Sequence, residues 1–221
     1  MAGRAIVIYS GGLDSTTVLY HLRAEKWEVK ALSADYGQRH RERELAAAET
    51  ICARLGVERR VLDLRSLVGL FGKNGLTDLS VAVPEEAYGA ATLPLTTVPN
   101  RNMILLSVGI AWAVSLSFDA VAFGAHSGLR TNYPDCSPGF ADAMDRAARE
   151  CDDRKISVLS PFVTWDKGDI VRRGMELGVP FELTWSCYKG GMKHCGQCGT
   201  CLDRHEAFKK CGTADPVIYE H

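Results

Sequence analysis

Cys187, Cys195, Cys198 and Cys201 fall within fifteen residues, the last three spaced Cys-x-x-Cys-x-x-Cys. Four thiolates at such spacing match a tetrahedral zinc ion held by sulfur. A closed site of this kind is structural and staples a loop too short to have its own core. The ferredoxin iron–sulfur run opens with the same spacing, but its fourth Cys followed by Pro is missing here. His194, beside Cys195, is expected to be a solvated loop histidine. Near the other end of the chain, Ser10-Gly11-Gly12-Leu13-Asp14-Ser15 follows an apolar β-branched run and precedes a helical pattern. A glycine turn at a helix N-terminus offers unpaired N–H groups and a positive dipole end to an anion. Ser10, Ser15 and Thr16 add hydroxyls. The Gly-Lys-Ser/Thr ending of a Walker A loop is absent, and so is G-x-G-x-x-G. The missing lysine argues against γ-phosphoryl transfer of that type.

The elements that must position these groups follow from periodicity. Ala5–Tyr9 is expected to be a buried strand, followed by a helix over 14–25 and a strand over 27–33. A helix over 41–55 carries Leu45, Ala48, Ile51, Cys52 and Leu55 at helical spacing and stops at Gly56. A third strand covers 60–64. Residues 65–99 are punctuated by Gly and Pro and read as an irregular excursion with a short helix. Then come a long apolar helix over 102–117, a strand over 120–124, a helix over 138–151, a strand over 156–159 and a helix over 167–177. Strands alternating with helices imply a parallel, doubly wound five-stranded α/β sheet. Ligands bind beyond the carboxyl ends of such strands. The loops of interest are therefore 10–15, 34–40 and 125–137, with 98–102 joining them.

Composition sets bounds on function. The chain has 221 residues, with 46% hydrophobic and 24% charged, and a formal net charge of −1. That is ordinary for a globular protein and supplies no global basic field for nucleic acid or membrane. The N-terminus shows no signal-peptide pattern, and no apolar run reaches the ~20 residues of a membrane span. A cytoplasmic protein is expected, with no direct nucleic-acid partner and no membrane.

The Ser10–Ser15 loop resembles the SGGxDS pyrophosphate loop of the ATP pyrophosphatases, which cleave ATP between the α- and β-phosphates. The resemblance narrows over nearly the whole chain. Ser10-Gly-Gly-Leu-Asp-Ser-Thr-Thr17, Asp35-Tyr-Gly-Gln-Arg-His40, Val98-Pro-Asn-Arg-Asn102, Tyr133-Pro-Asp-Cys136 and the four cysteines together resemble the 7-cyano-7-deazaguanine synthases, the QueC family. That resemblance implies an adenine nucleotide alpha hydrolase-like fold, residues 1–183, with a zinc-binding C-terminal segment, residues 184–221, packed on it. It implies adenylation of 7-carboxy-7-deazaguanine by ATP, amide formation with ammonia and a second activation to the nitrile, for queuosine or archaeosine biosynthesis. One zinc on Cys187, Cys195, Cys198 and Cys201, magnesium with ATP, and a homodimer are implied as well.

By the same resemblance, Tyr9, Ser10, Gly11, Gly12, Leu13, Asp14, Ser15, Thr16, Thr17, Val18 and Leu19 bind ATP. Asp14, Ser15, Arg101, Asp135 and Lys167 are the catalytic candidates. Tyr36, Gln38, His40, Arg101, Asn102, His126, Tyr133, Asp135 and Cys136 are the substrate-binding candidates. Arg101 is suited to a carboxylate or phosphate, Asp135 to ring N–H donors or an amine proton, and His126 to proton transfer. Cys136 has no evident base partner and is expected to be a packing or substrate-contact thiol. Arg204 is expected to pair with carboxylates. Three departures from the family pattern stand out: Asn100 where Gly or Ala is frequent, Gly124-Ala125-His126-Ser127 after the fourth strand, and Ser137 where an arginine is usual. Two other readings remain open: a paralogue that makes the same adenylate but stops at the amide or serves another amine, and a tRNA-modifying enzyme of the same superfamily.

Overall fold

The computed structural model describes residues 3–126 and 133–220; residues 127–132 of the expected 125–137 loop, Ser127 among them, lie outside the described residues. The strands are β1 (Gly3–Ile8), β2 (Trp27–Asp35), β3 (Arg59–Asp63), β4 (Ala120–Ala122) and β5 (Ser157–Leu159). They form one sheet in the order β3-β2-β1-β4-β5, with every pairing parallel. The helices are α1 (Leu13–Ala24), α2 (Arg41–Leu55), α3 (Leu93–Thr96), α4 (Arg101–Ser115), α5 (Pro138–Glu150), α6 (Lys167–Glu176) and α7 (Gly199–Lys210). Among the described residues, no helix is long and apolar enough to cross a membrane.

The alternation of β1 divides the core. Ala5 and Val7 point to one face, where they join Val18 and Leu19 of α1, Ile51 of α2, Ile170 of α6 and Phe208 of α7. Ile6 points to the other face, with Leu106 and Ile110 of α4 and Met144 of α5. Each face buries an apolar stripe, as a doubly wound sheet requires. The chain steps outward from β1 to β2 and β3, then returns to β4 on the far side. The switch in strand order therefore lies between β1 and β4, where a crevice opens at the carboxyl ends.

The excursion between β3 and α4 contains a 3₁₀ turn over Arg65–Leu70 and the short helix α3. Arg39 holds it by donating to the carbonyls of Asp78 and Val81 at 3.0 and 2.7 Å. Two departures from the family pattern gain physical roles. Asn100 is the N-cap of α4 with φ +58°, a left-handed conformation that Gly and Asn tolerate best. Ser137 is the N-cap of α5: its hydroxyl accepts from the Phe140 N–H at 3.1 Å, and Pro138 follows at the first helical position.

Helix α7 was not expected from the sequence. Cys198 is its N-cap and Cys201 lies in its first turn. Its Arg204 is fully buried and forms a two-pronged pair with Asp215 at 2.7 and 2.9 Å. The same guanidinium donates to the Thr184 hydroxyl at 2.7 Å and the Phe181 carbonyl at 2.9 Å. Arg204→Ala would leave a buried carboxylate with its cation removed, a loss of about 3–5 kcal/mol. The urea midpoint should fall correspondingly; an unchanged midpoint would mean that water replaces the guanidinium without cost.

Candidate active site

The crevice at the switch point is a cavity of about 250 Å³. The phosphate-type loop forms its floor. Gly11 has φ +79°, and a Cβ there would lie 2.6 Å from the Ala48 nitrogen of α2, so only glycine fits. The Ser10 hydroxyl accepts from the Gly12 N–H at 3.1 Å and lies 3.2 Å from the Ser15 hydroxyl. Gly12 caps α1 without any side-chain hydrogen bond. The first-turn N–H groups of α1 thus receive no side-chain cap, and they carry the helix's positive end.

Charged groups from three other elements gather here. Lys167, at the first position of α6, is set by a capping box in which Asp166 and Asp169 satisfy each other's backbone N–H groups. Its ammonium lies 2.8 Å from Asp203 Oδ2 and 3.4 Å from Asp14 Oδ2. Burial works against the charged amine, but the two carboxylates outweigh it and raise its pKa above the ordinary lysine value. Burial would likewise raise the Asp203 pKa, yet Lys167 holds it below the usual range. His126 Nε2 lies 3.8 Å from Asp14 Oδ2, and burial lowers its pKa, keeping it neutral near pH 7. Asp14 Oδ1 is buried without a hydrogen-bond partner.

Aromatic side chains form another part of the lining. Arg101 donates to the Tyr36 hydroxyl at 3.2 Å. Among the described residues, no carboxylate lies within ion-pair distance of Arg101. The Tyr88 hydroxyl donates to that of Tyr188 at 3.1 Å, and the Tyr88 ring meets Tyr133 edge-on at 5.8 Å. Tyr133 shares a 2.8 Å hydrogen bond with Thr96. The His40 ring packs 5.3 Å from that of Tyr188, tilted by 40°, and lies 3.6 Å from Glu44.

Of the expected site residues, Tyr9, Ser10, Gly12, Leu13, Asp14, Ser15, Tyr36, His40, Arg101, Asn102, His126, Tyr133, Cys136 and Lys167 line the cavity. The others lie behind it. Thr16, Thr17, Val18 and Leu19 are fully buried in the helix α1 core. Gln38 is buried too, accepting from the Tyr36 N–H and donating to Ala34 and Glu44, so its amide holds the loop after β2. Asp135 accepts from the Asn102 backbone N–H at 3.4 Å, while the Asn102 amide donates to the Asp135 carbonyl at 3.1 Å. This pairing fixes the start of α4 against the Tyr133–Cys136 loop. Burial pushes the Cys136 thiol up to about 11, so it is no nucleophile at neutral pH. Asp203, Tyr88, Tyr188, Thr200 and Trp185 also line the cavity and carried no sequence signal.

The cysteine sulfurs all lie within 4.8 Å of one another, and all four residues are buried. Cys195 and Cys201 sulfurs are 3.9 Å apart. Zn–S bonds of 2.3 Å set tetrahedral S···S separations of about 3.8 Å. Backbone N–H groups of Cys195, Gln197 and Cys198 donate to sulfur at 3.3–3.4 Å, which stabilises thiolates. The donor set fits one metal ion. His194 corrects the sequence reading: it is buried, not solvated. Its Nε2 accepts from the Ser186 N–H at 3.1 Å and its ring packs 4.3 Å from Trp185. Trp185 in turn donates its backbone N–H to the Gly11 carbonyl at 3.0 Å, joining the cysteine segment to the phosphate-type loop.

The fold recurs in solved structures. The U34-tRNA thiolase NcsA of Methanococcus maripaludis, solved with its 4Fe-4S cluster, superimposes with a TM-score of 0.51 at 14% identity, over 99% of this chain and 75% of its own. NMN synthetase from Francisella tularensis gives 0.51 at 14%, over 96% and 78%. Sequence comparison is more specific. A 7-cyano-7-deazaguanine synthase of Caldicellulosiruptor bescii is 46% identical over 217 residues, 98% of this chain and 97% of its own. The 7-cyano-7-deazaguanine synthase 1 of Colwellia psychrerythraea is 43% identical over 220 residues, covering both chains in full. The family model described as queuosine biosynthesis protein QueC matches residues 4–212, which take in the phosphate-type loop, the aromatic wall and all four cysteines. The chain belongs to the QueC family.

Proposed function

We propose that the chain converts 7-carboxy-7-deazaguanine and ammonia to 7-cyano-7-deazaguanine, consuming two ATP. The observation that supports this most is that two anion sites line one cavity. The α1 N-terminus and Lys167 form one; the other is Arg101, which among the described residues has no carboxylate within ion-pair distance. An ATP phosphate chain suits the first and a substrate carboxylate the second.

A carboxylate oxygen attacks the α-phosphorus, pyrophosphate leaves, and an acyl-adenylate forms. Ammonia adds to the acyl carbon, a proton passes to neutral His126, and AMP departs to leave the amide. The amide oxygen then attacks the α-phosphorus of a second ATP and releases pyrophosphate. Loss of that oxygen as AMP, with removal of the amide protons, leaves the nitrile. Ser10, Ser15 and the α1 N–H groups hold the leaving pyrophosphate, Lys167 neutralises charge at the phosphates, and Arg101 aligns the carboxylate. Magnesium bound with ATP would supply charge neutralisation at the phosphates, and Asp14, whose Oδ1 is buried without a partner, would hold it. Cys187, Cys195, Cys198 and Cys201 would hold a zinc ion, which would keep residues 184–221 in shape against residues 1–183.

Both carboxylate oxygens must leave in AMP. With substrate labelled by ¹⁸O at both positions, each AMP should carry one label and pyrophosphate none, alongside a nitrile of the expected mass. An amide product with a single labelled AMP would transfer the case to a paralogue that stops at the amide. ATP cleaved to ADP would overturn the adenylation itself.

A further inference from the structure

We propose that Tyr88, carried by the excursion between β3 and α4, is a specificity-determining residue that forms one wall of the seat for the planar deazaguanine ring. This inference rests on the function proposed above.

The cavity contacts divide into two groups. Ser10, Ser15, Lys167 and Asp203 gather round the α1 N-terminus and suit a phosphate chain. Ile8, Leu32, Leu105 and Phe123 add an apolar slot to the lining, to which we assign the adenine. The second group is Tyr36, Tyr88, Tyr133 and Tyr188 with Arg101, linked by the contacts described above. Four of the chain's seven tyrosines thus line one cavity with a cation that, among the described residues, has no carboxylate within ion-pair distance. A flat, electron-rich bicycle bearing a carboxylate matches this set: rings for its faces, a guanidinium for its anion, hydroxyls for its edge. Burial raises the pKa of the Tyr88 and Tyr188 hydroxyls, so both stay neutral and able to donate.

Tyr88 is held in place from outside the sheet. A Cβ on Gly199 would lie 2.9 Å from its ring, so the first turn of α7 makes room for it by lacking a side chain. Lys189 pairs with Glu85 three residues before it, and Val83 packs among the cysteines. The excursion is therefore clasped to the cysteine segment at Val83, Glu85 and Tyr88. Phosphate loop, apolar slot and parallel sheet are complete without this excursion; the aromatic seat is not.

The test is calorimetric binding of 7-carboxy-7-deazaguanine and, separately, of α,β-methylene-ATP with magnesium to wild type, Tyr88→Ala and Tyr88→Phe. Unfolding temperature and bound zinc are measured on each. Tyr88→Ala is expected to weaken binding of the deazaguanine about 10-fold or more, with nucleotide binding within about threefold of wild type. Tyr88→Phe keeps the ring and should stay within about threefold for both ligands. Unaltered deazaguanine binding by Tyr88→Ala would overturn the inference, as would an equal loss for the nucleotide. Should Tyr88→Ala unfold, Tyr88→Leu and Tyr88→Phe decide the matter: equal deazaguanine affinity in the two removes any role for the aromatic face. Failure of wild type itself to bind the deazaguanine would instead sink the function proposed above, and this inference with it.

Discussion

Lys167→Met should lower kcat for AMP release by about 10²–10³-fold, with a smaller loss of stability than Arg204→Ala because Asp14 and Asp203 are partly exposed. The side chain begins α6, whose capping box does not involve its amine, so the helix survives the change. What is lost is a positive charge held between Asp14 and Asp203 beside the α1 N-terminus. The two carboxylates keep the ammonium protonated well into alkaline pH, so the wild-type rate should show no lysine limb between roughly pH 6 and 9. Asp203→Asn removes one of the two carboxylates while burial still disfavours the charge. The lysine pKa must then fall, and a new loss of rate should enter from the alkaline side. Lys167→Arg should recover part of the rate. Steady-state AMP release across pH checks all three variants. A Lys167→Met enzyme within threefold of wild type would remove the lysine from phosphate chemistry.

The site was legible in the sequence wherever one segment carried both the chemistry and its structural context. The glycine loop lies between a buried strand and a helix, and Gly11 is irreplaceable for the reason its type suggested. Helix α2 spans the expected 41–55 because its apolar residues keep helical spacing and Gly56 ends it. What stayed illegible was assembled from distant segments. Asp203 sits 36 residues after Lys167, with no local pattern to pair them. Tyr88 lies in an aperiodic stretch where only tertiary contacts give its ring a place. Helix α7 was hidden because its first turn is spent on metal ligands and its buried face includes Arg204, which no hydrophobic periodicity counts. His194 was misread for a similar reason. A histidine beside glycines and cysteines looks like loop, but its ring fills the space between Trp185 and Tyr219.

The connection from the cysteine cluster to the candidate site runs through the first turns of α7. Cys198 caps the helix, Cys201 follows within its first turn, Thr200 lines the cavity, and Asp203 holds Lys167. A metal ion on the four sulfurs would fix both the position and the rotation of this helix, because two of the four cysteines are its cap and its first-turn residue. Cys201→Ser should therefore lose the metal, and with it binding energy of about 10–16 kcal/mol that apparent zinc affinities place in folding. Residues 184–221 should become sensitive to limited proteolysis, and the unfolding transition should broaden and drop. Asp203→Asn separates the two consequences: it should retain one zinc per chain and full protease resistance, yet show the alkaline loss of rate that follows from a released Lys167. Metal analysis, proteolysis and the pH profile on these two variants decide the point. A Cys201→Ser protein that keeps its metal in full, or a metal-free protein that resists protease as wild type does, would break the connection. An iron–sulfur chromophore in the wild-type protein would assign the four sulfurs to a cluster in place of zinc.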